Sequence, residues 1–418
     1  MQHIPPPARP IFYWVIYTLA LLVIMTSAGF IMRLVPFALV PGVNYEYLLH
    51  AHSHLAFLGW VYNALFIGLV RTFIPNHNKP LSKYNTLFWI TQAVTICMFI
   101  AFIYDGYQSP AIASLALHTV LTYVFIIYFL NDSKKYAGSL PGWMMKCALF
   151  CLFISSLGPF AIPVIKAHSL NVDNIKLAIN YYLHFQYNGW FVFGLLAIIF
   201  KCLSEKVTKE PLFRWGSVLL LIGVFPAYFL SIQWVGLPHW LSRLAGLAGI
   251  MQFIGAFLVW WILLQRRDQW RDSFKHGLYK WLLLGFTIFV INCLFQMLSV
   301  FPVIYEMVFH SRNVMIAYLH WHFLGFITLS ILTVFGREGW LSSNGSLFHS
   351  GLVIFISGFL IQEIYLFTQG VLSRLGIIVI EMQLETLLLA AILLLTGAVL
   401  LLLTAIRSFV LRQSTSKI

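Results

Sequence analysis

Twelve long apolar runs, separated by short polar loops, constrain this chain of 418 residues more than any other feature. A helix needs about 20 mostly apolar residues to cross a bilayer, and each run reaches that length. Every backbone polar group in lipid must be satisfied within its own segment, so runs of this kind form helices. The sequence therefore predicts an all-α integral membrane protein, a bundle of about 12 transmembrane helices in a single polytopic membrane domain (1–418).

The runs are numbered here as spans 1 to 12 in chain order, and their limits are approximate. They lie at 11–35, 47–73, 85–105, 110–130, 143–165, 177–203, 212–232, 239–265, 278–300, 314–335, 347–369 and 385–407. Only 9% of the residues are charged, whereas soluble proteins have about 25%. No soluble domain, low-complexity segment or internal repeat is evident between the runs.

The basic residues predict the orientation of the bundle. With the N-terminus inside, 20 of the 26 Lys and Arg residues lie on the inner side and 6 on the outer side. The positive-inside rule then predicts that both termini are cytoplasmic, in a bacterial inner membrane. The formal net charge of +13 is thus a topology signal. It indicates a lipid environment and no nucleic-acid partner.

The histidines of the spans share one leaflet in this orientation. Imidazole inside a membrane is costly and marks function, so their common depth needs a reason. A cofactor layer toward the outer, periplasmic side explains this common depth. Structural histidines with unrelated roles would be expected in both leaflets. The histidines at this depth are His50, His52, His54, His118, His168, His184, His239, His320 and His322.

Span 10 carries two histidines separated by one residue, His320 and His322. Each residue turns an α-helix by about 100°, so the two rings are expected to leave the helix roughly 200° apart. They cannot serve one small site together, but each can ligate a separate heme on its own side of the helix. The alternative is that neighbouring carbonyls satisfy both rings.

Span 2 opens with three histidines, His50, His52 and His54. In an α-helix His52 shares a face with Ala56, Gly59 and Asn63, because 11 residues make about three turns. Small residues on this face leave room for a flat macrocycle. His52 is the predicted ligand and His54 its rival, and hydrogen bonds are the alternative for His50 and His54.

Twelve spans, histidines early in span 2 and the His-x-His of span 10 resemble the catalytic subunit of the heme-copper oxidase superfamily. The closest resemblance is to the cbb-type oxidase and nitric oxide reductase branch. It implies that His52 (or His54) and His322 hold a low-spin heme, and that His320 holds a high-spin heme where a diatomic molecule binds. No Cys-x-x-Cys-His occurs, so covalent c-type attachment is excluded. Two b-type hemes are the expected cofactors, and the residues leave the o and a types open.

The resemblance also implies a copper site, for which this sequence has only part of the ligands. The family uses one histidine of span 6, which His184 matches, and a His-His pair of span 7, which is absent here. His118 and His239 are possible replacements in a site for copper or iron. Tyr187 lies three residues after His184 and is a second catalytic candidate. A different metal, the distal side of a heme, or a core hydrogen bond are the alternatives for His184.

Cations for the heme propionates and a route for protons complete the expectations. Arg243, Arg312 and Arg374 lie at outer ends of spans, and Arg forks bind carboxylates in a bidentate manner. Their alternative role is interfacial snorkelling. Glu363 is the one carboxylate well inside a span, in the outer half of span 11, which suggests that any protons consumed come from outside. Glu363 is a catalytic candidate together with His184 and Tyr187. Its alternative role is an ion pair with Arg374.

The leading functional prediction is a heme-binding oxidoreductase that transfers electrons to O₂ or NO. The electrons are expected to come from quinol, or from a cytochrome or other partner subunit. The first alternative is a heme-binding sensor, carrier or assembly factor of the same fold without turnover. The second is a transporter whose histidines bind protons or a metal ion.

Overall fold

The computed structural model describes residues 9–37, 41–74, 78–169, 171–377 and 383–415. All regular structure in these ranges is helical, and no strand occurs in them. Eleven helices are long and apolar enough to cross a membrane, and one bent pair of shorter helices passes the same test together. The predicted all-α fold with eleven to twelve membrane spans is confirmed at this level, whereas the location of the termini stays a prediction.

The spans keep their numbers from the sequence. Their bounds are Pro10–Leu34, Tyr45–Phe73, Leu81–Asp105, Ser109–Asp132, Leu140–Ala167, Val172–Cys202, Pro211–Gly223 with Pro226–Val235, His239–Gln265, Leu278–Leu298, Arg312–Arg337, Ser346–Arg374 and Leu384–Ser414. Most predicted limits agree within a few residues. A further helix, Pro302–His310, was not predicted, because its nine residues are too few to cross a membrane.

Span 7 is the bent pair, and its two halves meet at 41°. The second half begins at Pro226, which has no amide hydrogen to continue the helical hydrogen bonds. A proline at the break accounts for the bend. The second half is a 3₁₀ helix that ends at Gly236, whose positive φ of 73° suits glycine.

The chain divides into two compact units, and each is described by itself. Unit 1 comprises Met1–Asp132 and Ile331–Ile418, and unit 2 comprises Ser133–Ser330. Spans 1 to 4, 11 and 12 belong to unit 1, and spans 5 to 9 belong to unit 2. Span 10 belongs to unit 2 as far as Ser330, so that both of its histidines are in unit 2. The single domain predicted from the sequence stays a prediction.

Aromatic rings and a few polar pairs fill unit 1. Trp14 stacks on Phe88 with ring centroids 5.1 Å apart. Asn63 of span 2 and Gln92 of span 3 exchange two hydrogen bonds of 2.7 and 2.9 Å. Buried amides that bond to each other between helices add to the packing, which in lipid gains little from the hydrophobic effect.

Unit 2 combines close helix crossings with aromatic stacking. A side chain at Gly255 of span 8 would bring its Cβ within 2.7 Å of the Gly216 carbonyl of span 7. Small residues at a crossing let two membrane helices approach closely. Phe289 of span 9 stacks on Phe326 of span 10 at 4.4 Å, which fixes the part of span 10 just after its histidines.

Candidate functional site

Spans 2, 6 and 10 each contain a π-helical stretch, and in each case it begins at or directly after a histidine. The stretches are Leu55–Val61, His184–Phe191 and Trp321–Thr328. They follow His54, start at His184 and follow His320. No other described span contains one. π-helical turns are rare and occur often at functional sites. Spans 2, 6 and 10 are therefore singled out among the histidine-bearing spans by their backbone as well as by their residues.

The same three spans share a short repeat that the sequence analysis missed. In each, a glycine follows the histidine by five residues and an aromatic residue comes next. The sets are His54, Gly59, Trp60; His184, Gly189, Trp190; and His320, Gly325, Phe326. At Gly189 an added Cβ would lie 2.5 Å from Cys151 Cβ, so glycine allows spans 5 and 6 to approach there.

His52 of unit 1 is held in a defined orientation by span 1. Its Nδ1 lies 2.9 Å from the Met25 carbonyl, which must accept, so Nδ1 carries the proton. Nε2 keeps its lone pair and has no hydrogen-bond partner among the described residues. Gly29 borders the ring, since a Cβ there would lie 3.3 Å from Cε1. A carbonyl on the second ring nitrogen is how proteins orient metal-ligating histidines.

The helical face predicted for span 2 is retained only in part. His52 bonds to Met25 of span 1, and a Cβ on Gly59 would lie 3.4 Å from Leu21 of the same span, whereas Asn63 bonds to Gln92 of span 3. The prediction assumed α-helical geometry over 11 residues. The π-helical stretch between His52 and Asn63 has i→i+5 hydrogen bonds and turns less per residue, which changes the register of everything after it.

His54, the rival candidate in span 2, hydrogen-bonds to a residue outside the spans. Its Nε2 lies 2.6 Å from the Tyr107 hydroxyl, and its ring stacks on Phe102 at 4.6 Å. Burial raises the pKa of Tyr107, so the phenol stays neutral. His50 lies 3.7 Å from Glu46 at the water-facing end of the span. These contacts agree with the alternative of hydrogen bonding for His50 and for one nitrogen of His54. His54 Nδ1 is buried and has no hydrogen-bond partner within the described residues, so His54 stays a rival ligand candidate.

His322 is wholly buried in unit 2, and its ring is poorly satisfied. Nε2 makes only a long contact of 3.4 Å with the Tyr187 carbonyl. Nδ1 is buried and has no hydrogen-bond partner in the described part of the chain. A buried polar atom without a partner is costly and calls for an explanation such as a bound group. His322 therefore keeps a nitrogen that a ligand can use.

Span 9 contains a buried polar residue near Tyr318 that sequence analysis missed. Asn292 lies in span 9, is 1% exposed, and has neither side-chain atom in a well-formed hydrogen bond within the described residues. Tyr318 interacts electrostatically with Tyr187 and lies beside Asn292. The signal was available, since an amide in the middle of an apolar span is rare and marks function.

His320 is half-buried and is the last α-helical residue before the π-helical stretch of span 10. The expected angle of roughly 200° between the rings of His320 and His322 assumed α-helical geometry throughout. His320 and Trp321 keep α-helical dihedral angles, and the smaller turn per residue of the π-helical stretch would still leave the two rings on roughly opposite sides, so this expected angle stays a prediction. The assignment of the two rings to separate hemes stays a prediction.

His184 is also wholly buried, but both of its ring nitrogens are engaged. The Val224 carbonyl accepts from Nε2 at 2.8 Å, and the Asn188 amide lies 3.2 Å from Nδ1. No lone pair is left for a metal in this arrangement. The geometry agrees with the core hydrogen bond that was one alternative for His184. Tyr187 contacts His322 through its carbonyl and, at 5.6 Å, through its ring.

The two proposed replacement ligands have different surroundings. His118 is buried in unit 1, where the Tyr62 ring lies 5.0 Å away and the Thr122 hydroxyl 3.4 Å from Nδ1. His239 is exposed at the first residue of span 8 in unit 2. Over the described ranges, no three His, Cys, Asp or Glu side chains come together as a metal-ligand group.

The predicted propionate partners, Arg243, Arg312 and Arg374, are all exposed. Arg33, at the end of span 1, was not predicted and lies within electrostatic range of both His52 and Glu363. The sequence feature that could have identified Arg33 is its position close to the start of span 2 in the chain.

Glu363 is fully buried in span 11, as its position in the sequence suggested. Its carboxylate accepts a hydrogen bond of 3.1 Å from the neighbouring Gln362 amide. Arg33 is a charged neighbour of this carboxylate within unit 1. A buried carboxylate in a membrane span is a candidate for proton transfer.

A scan against known protein families finds no match for this chain, and a search of curated proteins finds none either.

Proposed function

We propose that the chain is a b-type heme-binding membrane oxidoreductase in which His52, His320 and His322 ligate iron and O₂ or NO is the electron acceptor. The observation that carries the proposal is the buried, unpartnered Nδ1 of His322, beside a π-helical backbone. A neutral imidazole with an unused nitrogen is the ligand that heme iron takes.

The residues of unit 1 also fit a heme ligand site. His52 has the tautomer in which Nδ1–H donates to a carbonyl and Nε2 is left for a metal. Gly29 keeps the space beside its ring open, because any larger residue would place an atom 3.3 Å from the ring. The pairing of His52 with His322 on one low-spin heme is part of the proposal, and it comes from the family resemblance.

When bound, heme would supply a one-electron carrier and an iron that accepts a diatomic ligand. The chain's own residues would orient the ligands and exclude water. Met25 fixes the His52 ring, and Phe326 stacked on Phe289 fixes the helix after His322. Asn292 and Tyr318 provide polar atoms next to that helix. The proposed location is a bacterial inner membrane, with the heme layer on the outer side.

A second candidate function is heme binding without turnover, as a sensor, carrier or assembly factor. The specific observation in its favour is His184. Its two ring nitrogens are used by Val224 and Asn188, so the position that resembles a copper ligand is occupied by hydrogen bonds. This candidate shares the heme ligands of the first and differs only in lacking a non-heme metal and catalytic turnover.

The test is optical spectroscopy and metal analysis of the purified full-length protein. Reduced-minus-oxidised spectra are expected to show b-type heme, with close to two irons per chain. His52→Ala and His322→Ala are each expected to remove the low-spin signal, and His168→Ala, at an exposed outer position, serves as the matched control. A carbon monoxide-sensitive band is expected from the site of His320.

The outcomes separate the candidates. Absence of heme from the wild-type protein contradicts both heme proposals and leaves the transporter as the remaining candidate function. Heme with a stoichiometric non-heme metal and consumption of O₂ or NO supports the oxidoreductase. Heme without either supports the non-catalytic candidate. If His52→Ala and His322→Ala remove different signals, the proposed pairing on one heme is wrong.

A further inference from the structure

Three arginines and one glutamate meet in unit 1, at the end of the unit where span 1 begins. Arg71 and Arg412 lie near the ends of spans 2 and 12, and Arg337 is the last residue of span 10. Glu338 accepts hydrogen bonds from Arg71 Nε, at 3.0 Å, and from Arg337 Nη1. The side chains of Arg71 and Glu338 are only 8% and 9% exposed, so this ion pair is largely buried.

Arg412 joins this cluster from span 12. Its Nη2 donates to the Gly339 carbonyl at 3.0 Å, and its guanidinium lies 5.1 Å from the centre of the Phe12 ring of span 1. A Cβ on Gly339, whose φ is +71°, would lie 2.5 Å from Arg412 Nη2, so glycine lets the guanidinium approach. Arg412 is half-buried and lies within electrostatic range of Arg71. Two like charges are therefore held close together.

The cluster carries more positive than negative charge. Three guanidinium groups share the one carboxylate of Glu338, which leaves a formal charge of +2. In the sequence around the span ends at this end of unit 1 (1–12, 69–84, 128–142, 334–349 and 405–418), the only other Asp or Glu is Asp132. The Asp132 carboxylate pairs with Lys83 at 2.8 Å. Partly buried like charges are costly unless an opposite charge lies beside them, so the cluster favours a bound anion.

The position of the cluster indicates which anion it would bind. Arg337 is 15% exposed and Arg412 is half-buried, so both reach the surface at the level of the span ends, where lipid head groups lie. Tyr13 is an exposed ring that packs on Phe409 at 5.2 Å, next to Phe12, and it offers apolar surface for acyl chains.

The chemistry of the guanidinium group also favours a phosphate. Arginine forks bind phosphate oxygens through two parallel hydrogen bonds. Basic pockets between membrane helices on the cytoplasmic side bind anionic lipid head groups, and the positive-inside rule predicts that this end of unit 1 is cytoplasmic. A phosphate that carries acyl chains suits this position better than a soluble anion, because its chains can lie along the apolar surface of the spans.

We propose that Arg71, Arg337 and Arg412 form a binding site for the phosphate group of an anionic phospholipid. Arg337 and Arg412 donate hydrogen bonds to the phosphate oxygens, and Arg71, held by Glu338, adds positive charge from beneath. The single negative charge of a phosphodiester offsets half of the excess of two. The site shares no residue with the proposed heme ligands, so it does not depend on the heme function.

The test is binding of fluorescently labelled phosphatidylglycerol to the full-length protein in micelles of a neutral detergent, followed by fluorescence anisotropy. Arg412→Gln is expected to weaken binding about fivefold to tenfold, because it removes one fork and leaves Glu338 with both of its partners. Arg412→Lys keeps the charge but loses the fork, and its affinity is expected to lie between the two. Arg407→Gln removes an exposed arginine of the same span and is the matched control, expected to bind as the wild type does.

Arg337→Gln is a second variant, for the case in which Arg412→Gln does not fold, and it is expected to weaken binding several-fold. Wild-type affinity in both variants overturns the proposal. Equal weakening by Arg407→Gln overturns it too, since any basic surface would then suffice. Displacement of the labelled lipid by phosphatidylcholine at equal concentration shows a general lipid contact and also overturns it. Displacement by inorganic phosphate at equal concentration shows a site for free phosphate and overturns the assignment to a lipid.

Discussion

His184 and His322 are both fully buried in π-helical stretches of unit 2, but the protein uses their ring nitrogens differently. Val224 and Asn188 engage both nitrogens of His184 at 2.8 and 3.2 Å. His322 has one long contact and one nitrogen without a partner in the described part of the chain. Burial and backbone type therefore do not separate a histidine whose nitrogens are both hydrogen-bonded from one with an unused nitrogen.

The difference comes from what the neighbouring spans offer. Because span 7 bends, the Val224 carbonyl does not accept the hydrogen bond that a continuous helix would give it. His184 donates to this carbonyl instead. Asn188, one turn later in span 6, supplies the second bond. His322 is surrounded mostly by aromatic rings, among them Tyr187, Phe323 and Phe326, which cannot satisfy an imidazole in the same way.

The comparison predicts opposite spectral effects of removing the two rings, and this is the largest expected difference. His322→Ala is expected to abolish the low-spin heme signal, because it removes the proposed axial ligand. His184→Ala is expected to keep that signal in the protein that folds. Reduced-minus-oxidised spectra, normalised to protein, measure both. Retention of the signal in His322→Ala, or its loss in His184→Ala, would reverse the roles assigned here.

The second prediction concerns stability. His184→Ala removes two hydrogen bonds and leaves the buried Val224 carbonyl and the half-buried Asn188 amide without their partner. The free energy of unfolding is expected to fall by about 2–4 kcal/mol. Unfolding in mixed micelles, compared with His168→Ala as the control, measures the change. No loss of stability would show that the bonds to His184 do not hold spans 6 and 7 together.

The third prediction concerns Asn188, because its removal leaves His184 with one unpartnered ring nitrogen, as His322 has. Asn188→Ala leaves His184 Nδ1 buried and unpartnered while its bond to Val224 remains. We expect a loss of about 1–2 kcal/mol in the free energy of unfolding and an unchanged heme spectrum. The same unfolding and spectral assays apply. A spectrum that changes as much as that of His322→Ala would place Asn188 and His184 at the heme.

The smallest effect is expected at Gly29, beside His52. Gly29→Ala places a Cβ 3.3 Å from His52 Cε1, so the ring must shift by a few tenths of an ångström. We expect a change below about 1 kcal/mol in stability, because a side-chain ring yields more easily than backbone. The low-spin band is expected to shift without being lost. Gly138→Ala, where a Cβ meets nothing within 4 Å, is the control and is expected to leave the band in place.

The sequence predicted the spans because apolar length is a local property. Eleven spans and the bent pair lie where the apolar runs are, whereas the short helices between spans, Pro302–His310 among them, were not predicted. The bend of span 7 was also readable from Pro226, although it was not predicted. The repeat of histidine, glycine and aromatic residue was likewise present in the sequence, but its meaning depended on seeing that three π-helical stretches begin there.

Side-chain roles were harder to predict, because they depend on partners from other spans. The face shared by His52 and Asn63 was wrong, since one unusual stretch of backbone between them changes the register. Arg33 and Asn292 were overlooked although their positions in the chain were visible, since the side chains that they face come from other spans. The heme, its axial pairing and the electron acceptor stay predictions.

The sequence by itself determined an all-helical membrane chain and the set of histidines from which ligands can be chosen. Apolar length and the cost of an imidazole in lipid suffice for both. Only the tertiary structure decided which nitrogens remain for a ligand. The carbonyl of Met25 leaves Nε2 of His52 unused, whereas Val224 and Asn188 use both nitrogens of His184. Hydrogen bonds between spans determine which ring nitrogens stay unused, and no local sequence pattern encodes those bonds.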